Sequence, residues 1–281
     1  MAFAPSPTLA DRLLPRPFAP RWGAVAEKLS RRSRTVAAFF DARMEGLILG
    51  WLSFMGLACL AKVLTGPVPV RGWEDAARQV LSYALVALSP VAGFWIAAGS
   101  FPRGLVSAQP ILRLARIGRW RSVDPVSACR NPAFGPAGFM ASLLAGMILN
   151  VPVRTAEYLV AIPSVGAGAP GWAQTLHLAM TADVVVMNFF YMACFVMALR
   201  SVPMFPRMLA FTWAVDVGMQ FMIAGMVTSE PDLPATVGMC LKSLLHGNLQ
   251  KAFISVAVWL PYLLLSDRVN ITYRRRIRVR L

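Results

Sequence analysis

Residues 176–199 read Leu176-His-Leu-Ala-Met-Thr-Ala-Asp-Val-Val-Val-Met-Asn-Phe-Phe-Tyr-Met-Ala-Cys-Phe-Val-Met-Ala-Leu199. The stretch is apolar around its whole circumference, with no proline and one ionised group, Asp183. A helix needs roughly 20 such residues to cross about 30 Å of hydrocarbon. A segment this long and this apolar therefore predicts a membrane span, and it sets the frame for the rest of the chain.

Five further stretches fit the same frame: 46–64, 80–101, 138–164, 206–227 and 248–266. Pro90 and Pro261 lie inside two of them, which a membrane helix tolerates when neighbours satisfy the freed carbonyl. Asn150, Pro152, Arg154 and Glu157 interrupt 138–164, so a five-span chain with a re-entrant third segment is the alternative to six. Composition agrees with a membrane protein. Of 281 residues, 57% are hydrophobic and only 15% charged, against about 25% charged in a soluble domain. Disorder, collagen-like repeats and a disulfide scaffold are excluded, the last because there are only four cysteines at unrelated spacings.

The net charge is +15, from 28 Lys+Arg against 13 Asp+Glu. Sorted along the chain, 22 of the 28 basic residues fall in the N-terminal arm (among them Arg31, Arg32 and Arg34), the 102–136 loop (among them Arg113 and Arg116), the short loop after 199, and the tail. The alternate connections carry few. Basic residues in short loops mark the cytosolic side, so six crossings with both termini cytosolic are expected. The domain plan is a basic cytosolic arm over 1–44, a six-span bundle over 45–267 and a basic tail over 268–281. No signal-peptide core is visible in the first 44 residues. A bacterial inner membrane is the expected location, with an organelle membrane as the alternative.

Within the arm, Trp22, Val25, Leu29, Val36 and Phe40 recur on one helical face. An amphipathic helix lying at the cytosolic interface is expected there. Anionic lipid headgroups are the expected partners of Arg31, Arg32, Arg34, Arg113, Arg116, Arg268, Arg274, Arg275 and Arg276, each basic residue near the surface contributing about 1 kcal/mol. Nucleic acid is not an expected partner: the arginines come with neither a groove-reading motif nor a stacking platform.

Ionisable groups inside a span are costly and mark function by default. Counted from the outer end of each span at about 1.5 Å per residue, Arg154 lies roughly 15 Å in, Glu157 and Asp183 roughly 10 Å, and Asp216 roughly 16 Å. These depths allow contact if spans three, four and five are neighbours. Asn150, Asn188 and Gln220 add amides to this candidate polar site. One reading is a buried network that holds three helices in register; the other is a substrate or ion path. Three carboxylates against one guanidinium are not balanced. No histidine pair at ligand spacing, phosphate loop or serine elbow is present, so no catalytic residue, metal or cofactor is expected and the chain reads as a non-enzyme. Gly46-Leu-Ile-Leu-Gly50 is a small-xxx-small pattern that permits close approach of another helix.

The last span and its exit run Val258-Trp-Leu-Pro-Tyr-Leu-Leu-Leu-Ser-Asp-Arg-Val269. Trp259, Pro261, Tyr262, Ser266, Arg268 and Val269 make up a Trp-x-Pro-Tyr helix followed by a Ser-x-Arg-Val exit. This resembles the C-terminal signature of the bacterial multi-pass membrane family known as domain of unknown function 2569. The matched stretch is these twelve residues; the long arm and the 102–136 loop depart from the family. The resemblance implies a bacterial membrane protein and brings no activity with it. The expected role is a non-enzymatic accessory or scaffold subunit packed against other membrane proteins. The alternative is a small transporter or channel using Arg154, Glu157, Asp183 and Asp216.

Overall fold

The computed structural model describes residues 19–65, 72–104, 107–110, 118–166 and 168–279, with side chains from Ala38 onward apart from Asp41, Glu74 and Arg78. The elements are helices α1 (Ala19–Leu64) and α2 (Trp73–Ser100), strand β1 (Trp120–Ser122), helices α3 (Pro125–Arg130), α4 (Phe139–Ala161), α5 (Gly171–Leu199), α6 (Phe205–Thr228), α7 (Ala235–Leu265) and α8 (Asp267–Arg274), and strand β2 (Arg276–Arg278). Six of the helices are long and apolar enough to cross a membrane: 42–64 of α1, 75–100 of α2, and α4 to α7. The protein is an all-α polytopic membrane helix bundle.

Because α5 is apolar on all sides it takes the centre, as a helix without a polar face must. Two thirds of its span (67%) is buried, against 6% for α1 and 11% for α7. It packs against α2, α4 and α6. The α2 contact is close: a Cβ at Gly93 would lie 2.5 Å from the Phe189 carbonyl oxygen, so the absence of a side chain there sets the separation of the two backbones. Ser89 donates to the Val185 carbonyl beside it, and Trp51 of α1 donates to Ala87 at 2.9 Å.

The segment 138–164 forms one unbroken helix, α4, across its span, with Pro152 inside it. The re-entrant alternative is not what the chain adopts. Two other boundaries differ from the sequence expectation. The helix of the arm is continuous with the first span: α1 runs from Ala19 to Leu64 without interruption, since no proline breaks the segment between them. The last span begins thirteen residues earlier than expected, at Ala235, and takes Cys240, Lys242 and His246 into α7. The hydropathy window excluded these polar residues, but none of them breaks a helix.

Buried apolar residues form two clusters, one toward each end of the bundle. Met140, Met147, Phe195, Phe205 and Leu209 lie in the first; Tyr83, Tyr158, Val184, Ile223 and Leu245 lie in the second. The buried polar residues Thr155, Asp183, Asn188, Asp216 and Gln220 occupy the level between them.

At the end of the bundle that carries the tail, α8 and β2 fold back onto the chain. β2 pairs antiparallel with β1, Trp120 opposite Arg278 and Ser122 opposite Arg276. Arg275, at φ 48°, makes the left-handed turn between α8 and β2. Tyr273 is fully buried, donates from its hydroxyl to the Ala198 carbonyl at 2.9 Å, and packs its ring 5.0 Å from that of Phe205. This ties the tail to the start of α6 and the end of α5.

Candidate functional site

The polar layer is built around Arg154, seven residues from the end of α4. Its Nη1 donates to Asp183 Oδ2 of α5 at 2.9 Å, and its Nη2 donates to Asp216 Oδ1 of α6 at 2.6 Å. One guanidinium thus bridges two carboxylates on two different helices, the charge-assisted geometry for which arginine is suited. The outer carboxylate oxygens are also served. Tyr191 donates to Asp216 Oδ2 at 3.1 Å and Gln220 donates to Asp183 Oδ1 at 3.2 Å. Asn248 of α7 closes the chain by donating to Gln220 Oε1 at 3.1 Å. Four helices are therefore joined through six side chains. With all three charged groups ionised the core of the network carries one net negative charge, to be balanced by a proton or a cation.

The expected site residues separate into three groups. Arg154, Asp183, Asp216 and Gln220 come together. Asn188 sits one helical step away and donates to Thr155 Oγ1 at 2.9 Å, leaving its Oδ1 buried without a partner. Glu157 does not join: it pairs with Lys251 of α7 at 2.5 Å, and both side chains are about half exposed (46% and 60%). At three residues from Arg154 it points about 60° away around the helix, toward α7 rather than toward α5 and α6. The third carboxylate of the expected imbalance is thereby removed from the cluster.

Asn150 borders a cavity of about 310 Å³ between α4 and α7 that Arg154, Glu157, Tyr191, Asp216, Asn248 and Lys251 also line. Trp213 lines it as well, and its buried Nε1 has no acceptor. The sequence reading missed Tyr191, Asn248 and Trp213 as parts of this site. A signal for two of them was present: Tyr191 lies two turns after Asp183, and Trp213 lies one turn before Asp216, on the same helix faces.

The tail arginines expected at lipid headgroups also make contacts within the protein. Arg276 is buried, donates to Asn270 Oδ1 at 2.7 Å and lies 5.1 Å over the Trp120 ring. Arg274 donates to the Leu263 carbonyl at 2.8 Å and to Asn270 Oδ1 at 3.0 Å. Burial, with Arg276 and Arg207 as positive neighbours, lowers its pKa from the ordinary value to about 10, so it remains a cation at neutral pH. Arg275 donates to the Ser107 carbonyl at 2.5 Å and Arg268 reaches Gly135 O at 3.5 Å. These four also hold the tail fold together: the end of α7 and the 102–136 loop supply carbonyls that the sequence did not reveal as neighbours. Arg113 and Arg116 lie outside the described residues, as do the side chains of Arg31, Arg32 and Arg34.

Among the described residues no group of three or more His, Cys, Asp or Glu is placed to hold a metal ion, and the four cysteines are free thiols. Against protein-family models, curated proteins and solved structures, the chain shows no match. Length, apolarity and the six spans together establish a multi-pass membrane protein.

Proposed function

We propose that the protein is a non-enzymatic accessory or scaffold subunit of a bacterial inner-membrane complex, with both termini cytosolic. The observation that carries this reading is the contrast between a closed core and an open periphery. Inside, Arg154, Asp183 and Asp216 are bound to one another and to Tyr191 and Gln220, which rivets α4, α5 and α6. Outside, α1 buries only 6% of its span, and nothing lies within 4 Å of a Cβ placed at Gly46 or Gly50. That small-xxx-small face is open to another helix. The charge distribution supports the orientation, since the arm, the 102–136 loop and the tail hold most of the arginines.

The test is extraction in mild detergent followed by identification of what stays bound. A defined membrane-protein partner lost on Gly46→Leu and Gly50→Leu supports the reading; recovery of the chain alone, also after cross-linking in intact membranes, sinks it. A phosphatase fusion at residue 281 that is active outside the cytosol would overturn the orientation.

The second reading, a small transporter or channel, is favoured by one observation: the cavity between α4 and α7 reaches Arg154 and Asp216, where a proton or cation would balance the network's charge. Ion flux in reconstituted vesicles that disappears in both Asp183→Asn and Asp216→Asn supports it; unchanged flux in both removes it. The likeness of Trp259, Pro261, Tyr262, Ser266, Arg268 and Val269 to domain of unknown function 2569 is carried as a proposal as well. Here Trp259 and Tyr262 pack on Phe139 at 4.8 and 5.0 Å, clasping the last span to α4.

A further inference from the structure

The polar network leaves one group at the cavity between α4 and α7 unexplained. Trp213 is almost fully buried and borders this space of about 310 Å³, and its indole Nε1 has no acceptor among the described residues. An unmet buried donor is costly, and hydrocarbon offers it no replacement partner. What the site lacks is an oxygen acceptor from outside the chain.

Depth narrows what can bring that oxygen. Counted from the ends of α4, α6 and α7 on the tail side of the bundle, Asn150, Trp213 and Ser255 lie roughly 16, 12 and 15 Å in. All three line the cavity, and this level is near the middle of about 30 Å of hydrocarbon. Phospholipid phosphates and ester carbonyls lie at the bilayer boundary, so they do not reach it. Charge narrows the choice further. The ionised groups of the lining are paired with one another, Arg154 with Asp216 and Lys251 with Glu157. The surplus negative charge around Arg154 disfavours an anion, and a simple cation offers Trp213 no acceptor. An uncharged molecule with an exposed oxygen fits both conditions.

The way in is from the side. Leu149 and Val153 line the cavity and are also exposed on the surface of α4, so the space opens toward lipid. Across it α4 and α7 are joined by Glu157 and Lys251 near one end and by Phe139 against Trp259 and Tyr262 at the other. A volume of this size is at the small end of ligand pockets, enough for the polar end of a lipid-soluble molecule whose tail stays in the bilayer.

We propose that this cavity binds a neutral, carbonyl-bearing lipid near the bilayer midplane, with Trp213 Nε1 donating to the carbonyl oxygen. Two sources share that chemistry, the ring of a quinone and the ester of a triacylglycerol. The proposal stands apart from the scaffold and transporter readings, because it concerns binding alone and needs neither a partner protein nor ion flux.

The test uses the full chain in detergent, titrated separately with decyl-benzoquinone, trioctanoylglycerol and phosphatidylglycerol, and followed by native mass spectrometry and thermal unfolding. One of the two neutral probes should bind and raise the unfolding temperature where phosphatidylglycerol does not, and which one does so identifies the source. Trp213→Phe keeps a ring and removes the N–H, and should weaken that binding roughly fivefold, as for one neutral hydrogen bond. Val153→Trp fills the exposed mouth and should abolish binding even if the Trp213 variant fails to fold. Val160→Trp, equally on the exposed surface of α4 but outside the cavity, is the control and should leave binding unchanged. No binding of either neutral probe, equal binding of phosphatidylglycerol, or binding that survives Val153→Trp overturns the proposal.

Discussion

Two largely enclosed arginines in this molecule are held by different groups. Arg154, deep in the bundle, is held by two carboxylates at 2.9 and 2.6 Å. Arg276, at the end of the bundle, is held by an amide oxygen at 2.7 Å and the face of an indole. The difference follows from the solvent each region borders. In hydrocarbon a guanidinium without counter-charge is expensive, so the chain brings acids from two helices to it. At the end of the bundle an amide oxygen and a ring quadrupole are among the groups that hold the charge. The same side chain thus meets two carboxylates within the spans and, at the end of the bundle, an amide oxygen and an aromatic face among its contacts.

The largest effect should come from Arg154→Met. It leaves Asp183 and Asp216 buried without a cation and should cost about 3–5 kcal/mol of stability, read as unfolding in detergent. Combining it with Asp183→Asn and Asp216→Asn should recover most of the loss, because the uncompensated charges are then gone. No recovery would mean that packing, not charge, is what Arg154 supplies. Arg276→Met removes the charge-assisted bond to Asn270 and the contact with the Trp120 face, so about 2 kcal/mol is expected. A loss equal to that of Arg154→Met would break the comparison. Tyr273→Phe keeps the ring against Phe205 and removes only the bond to Ala198, for about 1 kcal/mol by the same measurement.

The smallest effect concerns α3. Asp124 caps it by accepting from the Ser127 amide at 2.9 Å, and the Ser127 bonds hold its carboxyl below the usual 3.8. A depressed folded-state pKa means that the capping contribution is present above the ordinary value and is lost as pH falls through the folded one. Protection of the Ser127 amide, taken relative to its intrinsic exchange rate at each pH, should therefore be lost only below the ordinary carboxylate range, and Asp124→Ala should remove it throughout. Unaltered exchange in that variant would show that the cap does nothing.

Much of the membrane region was legible because hydrocarbon imposes one local requirement, a run of apolar residues, that a sequence displays directly. The meeting of Arg154 with Asp183 and Asp216 followed from depth along each span, since helical rise is constant. Depth says nothing about rotation, which is why Glu157 was grouped with them and in fact turns to Lys251. Asn248 escaped notice because it lies outside the short connections that made spans three to five neighbours, on a helix brought back by the packing of α7 against α6. The tail was least legible. Its arginines look identical in sequence to a headgroup anchor, and only the fold supplies Trp120, Asn270 and the Ser107 carbonyl as partners.

From sequence alone come the membrane as solvent, the number of crossings and the inventory of charges that must be balanced within them, because all three depend on residue type and spacing along one helix. Tertiary structure decided which charges pair, which arginines turn inward to backbone carbonyls, and where the tail goes. Those outcomes depend on helix rotation and on contacts between segments far apart in the chain, and neither quantity is written in any local window.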